Sequence, residues 1–299
     1  MFGEAHGNFA GKRLVIFGCG YVGGALAREA VVRGLKVLAL TRNKEKAAEL
    51  SAIGIETCVA DLARDDWHER VSGSPEFVVN CVSSGGAGLD GYRHSYVAGM
   101  ESVVRWAATF GTVGTLLYTG STSVYPQSKG GLVDERAPTV GATDRAQVLL
   151  EAEARLRAGH ASYARWFVLR LAGIYGPGRH GLLDQVRAGE MTGRGEHRLN
   201  LIYRDDICSA IWHALGAPAT VANEIFNVAD DGAARKSEIA EWLSIRVGLP
   251  IPHFTGEQVR GRGPTAPDRI IANDKIKSVL GWQPAYATFR EGFEKILSQ

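Results

Sequence analysis

The residues best placed to do chemistry are Gly18-Cys19-Gly20-Tyr21-Val22-Gly23, a G-x-G-x-x-G run. An anionic phosphate needs open backbone N–H groups and room to approach them, and glycine supplies both. Gly18 permits a tight turn, Gly20 lets backbone approach a pyrophosphate, and Gly23 lets a helix pack closely on a strand. A helix opening at Tyr21 and Val22 aims its N-terminus at the anion. The context fits that mechanism, because the apolar run RLVIF ends at Phe17 and helical spacing begins at Tyr21. A dinucleotide with a free ribose 2′-OH asks for an acidic residue at the end of the next strand. Thr41-Arg42-Asn43-Lys44 stands there instead. Without a carboxylate, and with Arg42 beside Lys44 to hold a 2′-phosphate, the expected cofactor is NADP, with NAD as the alternative.

The elements that must position this loop alternate regularly. Strands are expected at Arg13–Phe17, Lys36–Leu40, Glu56–Ala60, Phe77–Val82, Thr115–Thr119 and Phe167–Leu171. Helices are expected at Tyr21–Arg33, Lys44–Ile53, Tyr92–Phe110 and Asp144–Ala158. Strand–helix alternation of this kind requires right-handed crossovers, and the continuous apolar strands read as covered on both faces. The expected fold class is α/β, a Rossmann doubly wound parallel sheet with a smaller C-terminal substrate lobe. Residues 11–172 form the NAD(P)-binding part, and 205–230 return to it through a helix at Asp205–Leu215 and a strand at Glu224–Val228. Residues 173–204 and 231–299 form the lobe. It has a Gly-rich stretch at Gly173–Asn200, a helix at Lys236–Val247, a Gly/Pro-rich loop at Gly261–Pro267 and two short helices around Gly281-Trp282.

Composition narrows the function classes. Of 299 residues, 45% are hydrophobic and 22% charged, the balance of an ordinary globular protein. A net charge of +2 gives no reason to expect nucleic acid or a membrane surface as partner. No apolar run approaches a membrane span, and Met1–Gly11 is polar and Gly-rich, without the apolar core of a leader. Cys19, Cys58, Cys81 and Cys208 are far apart and have no metal-ligand spacing, so no metal and a reduced, cytoplasmic setting are expected.

From Lys12 to Phe293 the chain resembles the extended short-chain dehydrogenase/reductases, the NAD(P)-dependent epimerase/dehydratase group. The matching blocks, in order, are the GCGYVGG loop, Asp61-Leu62, Ser121-Thr122-Ser123-Val124-Tyr125, and Leu169 to Gly178 (LRLAGIYGPG). They continue with Ile202 to Asp206 (IYRDD), Asn227-Val228 and Leu280 to Pro284 (LGWQP). The resemblance implies that Asp61 and Leu62 contact the adenine, and that Cys81 and the Ser83-Ser84-Gly85-Gly86 segment run beside the cofactor. It implies a homodimer built from the helices Tyr92–Phe110 and Asp144–Ala158, and a small polar, sugar-like substrate.

In that family a Ser binds the substrate oxygen, a Tyr moves the proton, and a Lys one helical turn on lowers the Tyr pKa. The Ser corresponds to Ser121, with Ser123 as the neighbouring candidate. The Tyr/Lys pair has no counterpart. Matching the family's Glu to Glu153 puts Arg145 and Leu149 at the two positions, and matching it to Glu151 puts Thr143 and Gln147 there. The literal YxxxK, Tyr125 to Lys129, holds Pro126 and runs into Gly130-Gly131, which makes a poor helix. Tyr175, Arg145, Tyr92 and His94 are the remaining groups that could serve near a nicotinamide. Two functions follow from the residues: an NADP-dependent epimerase-, dehydratase- or reductase-like enzyme, or an NADP-binding sensor without turnover.

Overall fold

The computed structural model describes residues 7–84, 88–110, 113–256 and 267–299. Residues 1–6, 85–86 and 261–266, on which parts of the expectations above fall, lie outside the described residues. The chain opens with β1 (Arg13–Phe17), α1 (Tyr21–Val32), β2 (Lys36–Thr41), α2 (Lys44–Ser51), β3 (Glu56–Val59) and β4 (Phe77–Asn80). It continues with α3 (Gly88–Arg93), α4 (Gly99–Phe110), β5 (Val113–Ser121), β6 (Leu132–Val133), α5 (Asp144–Ala158) and β7 (Tyr163–Leu171). The apolar runs form strands as expected, and local chemistry sets the helix starts. The side chain of Asn43 accepts from Lys46 N–H at 2.6 Å to begin α2, and that of Thr143 accepts from Ala146 N–H at 3.4 Å to begin α5.

The second half adds β8 (Gly173–Tyr175), α6 (Gly181–Arg187), β9 (Glu190–Met191), β10 (Arg198–Leu199), β11 (Leu201–Tyr203), α7 (Arg204–Gly216) and β12 (Glu224–Val228). It closes with β13 (Ala234–Arg235), α8 (Lys236–Val247), β14 (His253–Phe254), β15 (Ile270–Ile271), α9 (Asp274–Leu280) and α10 (Phe289–Leu297). Gly248 and Gly281 end α8 and α9 at φ of 68° and 65°, the left-handed turn that glycine adopts without strain.

Seven strands form one parallel sheet in the order β12-β7-β5-β4-β1-β2-β3. It is Rossmann-like, with a packed layer on each face. Along β1, Leu14 and Ile16 join the layer under α1 and α7, whereas Val15 and Phe17 join the layer under α4 and α5. A third core gathers β8, β11, α6, α8 and α10 around Leu183, Ile239, Phe289 and Phe293. Strand order reverses between β1 and β4, and the crevice outside their C-terminal ends is where doubly wound sheets take ligands.

Two local features depart from the expectations. The helix expected at Tyr92–Phe110 begins at Gly88 and contains a π turn, His94–Ala98, between α3 and α4. A single 3₁₀ turn, Asp65–Arg70, lies between β3 and β4; its Trp67 is fully buried and donates to Leu62 O at 3.2 Å. Among the described residues no helix is long and apolar enough to cross a membrane.

Candidate cofactor cleft

The phosphate loop is shaped by contacts that only glycine tolerates. Gly18 has φ 88°, and a Cβ there would lie 2.7 Å from Val82 backbone, so the turn rides directly on the chain leaving β4. A Cβ on Gly23 would lie 2.3 Å from Gly18 O. At Gly20 an added Cβ meets nothing within 4 Å, so that space belongs to the cleft rather than to protein packing. Gly20 precedes α1 with no side-chain cap, which leaves the helix N–H groups open to an anion.

A cleft of about 230 Å³ lies at this crevice and brings together Gly18, Gly20, Thr41, Arg42, Asp61, Leu62, Cys81 and Ser83. Tyr21, Val22 and Gly23 form the first turn of α1 behind it. A larger hollow, about 400 Å³, opens among Arg13, Lys36 and Glu56 at the opposite edge, where the strands start. Gly54 lines that hollow, but it lies in a helix-to-strand turn away from the C-terminal strand ends, so the strand-end cleft is the chemically equipped one.

The rim of the cleft at the ends of β2 and β3 is polar. Thr41 is buried and its hydroxyl accepts from Asn43 N–H at 3.2 Å, so it shapes the turn. Arg42 is exposed at the lip and makes no ion pair among the described residues. Asp61 accepts from Ala63 N–H at 3.1 Å and meets His94 Nε2 at 2.9 Å. Partial burial works against its charge, but His94, the Ala63 N–H and Arg42 outweigh that and hold its pKa below the usual carboxylate range. Sequence reasoning missed Ser95, which lines the same cleft from the π turn. Its hydroxyl is buried with no hydrogen-bond partner among the described residues. The only available signal is the π turn, which a helix-periodicity reading overlooks. Burial raises the Cys81 thiol to about 12 and the Cys19 thiol higher still, so neither is a thiolate nucleophile at neutral pH.

A buried network ties α5 to β7. Arg170 on β7 is 5% exposed and grips fully buried Glu153 on α5 through two bonds, of 3.0 and 2.7 Å. That pair ties α5 to the sheet through Glu153, whereas Glu151 meets Arg93 and Arg155 instead. Leu149 is 2% exposed in the apolar core. The Arg145 guanidinium is exposed and lies 5.6 Å from the Tyr92 ring. Tyr92 stacks on Tyr96 at 4.6 Å, and Ser84 N–H donates to the Tyr96 hydroxyl at 3.3 Å. Burial, then Tyr96, raises the Tyr92 phenol to about 12 against the pull of Arg145.

Ser121 ends β5 half-buried, and its Oγ accepts from Ser123 N–H at 3.1 Å, capping the short turn Thr122–Val124. Ser123 itself is exposed. Tyr125 takes a structural place, donating to Asn227 Oδ1 at 2.8 Å and accepting from Arg170 at 2.8 Å. Tyr175 is not brought to this cluster. Alternation along β8 turns Ile174 toward the sheet layer and Tyr175 into the third core. Its ring lies 5.3 Å from Tyr203 and 5.0 Å from Phe293, its hydroxyl is buried without a partner, and burial followed by Asp230 pushes its pKa far up. Among the described residues no group of three His, Cys, Asp or Glu side chains could hold a metal ion.

The chain belongs to the NAD dependent epimerase/dehydratase family, whose profile matches residues 14–229. It is 27% identical to Protein YeeZ of Escherichia coli K12 over 92% of this chain and 96% of that one. It is 28% identical to the 2-alkyl-3-oxoalkanoate reductase of Stenotrophomonas maltophilia over 80% of this chain and 76% of that one. The fold is shared with UDP-glucuronic acid 4-epimerase from Bacillus cereus, solved with NAD, at a TM-score of 0.77 and 15% identity over 95% of this chain and 99% of that one.

Proposed function

We propose that the protein binds NADP(H) in the strand-end cleft and reduces a small polar carbonyl compound. The observation that carries the cofactor choice is Arg42, unpaired at the lip of the cleft, with Thr41 where an NAD site would hold an acid. Asp61 is engaged by His94 and by backbone, and it would face the adenine. The bound nicotinamide would supply the hydride. Ser121 would donate to the substrate oxygen as charge gathers there, and Arg145 at the head of α5 would add a fixed cation near the same group. The S. maltophilia relative is named as a reductase of 2-alkyl-3-oxoalkanoates, which supports ketone reduction over sugar epimerisation.

A second reading, an NADP-binding regulator without turnover, draws on Leu149. Leu149 is buried, and α5 holds neither a Tyr nor a Lys, so the helix carries no phenol–ammonium pair to move a proton. One assay separates the two. Loss of NADPH absorbance on mixing with short 3-oxo acids, ketones and aldehydes supports the reductase. Tight NADPH binding with no oxidation against any of them supports the regulator.

A further inference from the structure

The phosphate loop has a second neighbour, on its lobe side, that the cofactor reading leaves unexplained. Tyr21 is the first residue of α1, and Arg204 is the first residue of α7. The Arg204 guanidinium lies 5.3 Å from the Tyr21 ring centre, and the Arg179 guanidinium lies 5.5 Å from the same centre. Two like charges are therefore gathered on one ring. The loop bearing Arg179 is clamped there. The Tyr21 hydroxyl donates to Pro177 O at 3.0 Å, and Gly176, at φ 147°, comes so close that a Cβ would sit 2.7 Å from that hydroxyl and 3.3 Å from Arg204 Cβ.

The two guanidinium groups are each attracted to the ring and repel one another. A cation on the first turn of a helix opposes the helix dipole, and Arg204 occupies that place in α7. Asp205 pairs with Arg204 at 2.8 Å, so one of the two positive charges is matched. Arg179 is exposed and makes no ion pair among the described residues. A net positive charge thus faces the start of α1, beside the glycines that would hold a pyrophosphate.

We propose that Arg179 and Arg204 form an oxyanion subsite on the lobe side of the phosphate loop, taking a phosphate or carboxylate group. This rests on the dinucleotide reading above and deepens it. The oxyanion has two sources, the pyrophosphate of the cofactor or an acidic group on the substrate. Guanidinium groups suit either, because they present paired donors to two oxygens.

The test uses the full chain and the variants Arg179→Ala, Arg179→Lys and Arg204→Ala, titrated calorimetrically with three probes. NADPH reads the whole cofactor, adenosine 2′,5′-bisphosphate reads its adenosine half without a pyrophosphate, and inorganic phosphate reads the subsite in the presence and absence of NADPH. If the cofactor is the source, Arg179→Ala weakens NADPH at least fivefold and leaves adenosine 2′,5′-bisphosphate unchanged, and Arg179→Lys recovers part of the loss. If the substrate is the source, NADPH binding is unchanged and the phosphate binding of the NADPH-loaded protein is lost in both alanine variants. Unchanged titrations with all three probes overturn the subsite. A protein that fails to bind NADPH but binds phosphate through Arg179 would sink the dinucleotide reading and leave the subsite standing.

Discussion

Two regions of the molecule, the phosphate loop and the third core, are built on opposite terms. On the β1–β4 side the backbone is pressed together, with Gly18 on Val82 and Gly23 on Gly18, and the space at Gly20 is left for a ligand. On the β8–β11 side bulky polar groups are packed away from water. The hydroxyls of Tyr175 and Tyr203 and Oδ2 of Asp230 are buried with no hydrogen-bond partner. Burial raises Asp230 to about 8, and it raises Asp206 to about 6 even though Asp206 accepts N–H bonds from Ala285 and Tyr286 at 2.7 and 3.1 Å. The first side depends on backbone turns specified within six consecutive positions, Gly18 to Gly23. The second depends on contacts between segments far apart in sequence, from Tyr175 to Gly292.

The comparison can be broken most sharply at Ser121, which ends β5. Once a substrate is found, Ser121→Ala should lower turnover by a factor of about 10²–10³, the usual loss of one donor to a developing oxyanion. Steady-state kinetics with NADPH saturating would check this, and unchanged turnover would remove Ser121 from the site. Next in size, Arg42→Ala should erase most of the preference for NADPH over NADH, worth about 1.5–3 kcal/mol for a charge-assisted phosphate contact. Paired titrations of variant and parent would show it.

Gly20→Val should weaken NADPH at least tenfold, about 1.4 kcal/mol. Its melting temperature should stay put, because a Cβ at Gly20 meets nothing within 4 Å. A variant that instead melts early would show that the space is needed by the fold. On the packed side the readout is stability against pH. Asp230 holds its proton to about 8 when folded and to about 3.9 when unfolded. The folded state binds more protons in that window, so this group's contribution is full below about pH 4 and is lost as pH rises toward 8. Asp230→Asn should flatten that fall in melting temperature, and an unchanged slope would assign it elsewhere.

How far the sequence was legible follows the same division. Strands such as Arg13–Phe17 and Glu224–Val228 and the helix Asp144–Ala158 stand out because apolar runs and helix caps are local signals. The glycine loop, Thr41-Arg42 and Asp61-Leu62 converge on one cleft because each follows a parallel strand and emerges at the same sheet edge. The π turn hides Ser95, since one extra residue in a helical turn leaves no trace in a 3.6-residue period. Tyr175 was misjudged for a comparable reason. Its facing depends on how the short strand β8 pairs with β11, Ile174 opposite Ile202 and Tyr175 opposite Tyr203, and neither composition nor spacing reveals that pairing. The Arg170–Glu153 pair is hidden as well, because Arg170 is brought under α5 only by the folded sheet.

The account stands most directly on one measurement, calorimetric titration of the unmodified protein with NADPH and with NADH under the same buffer and salt. It predicts that NADPH binds in the cleft at least tenfold more tightly than NADH, because Arg42 meets the 2′-phosphate and no carboxylate opposes it. Equal affinity for the two would contradict it.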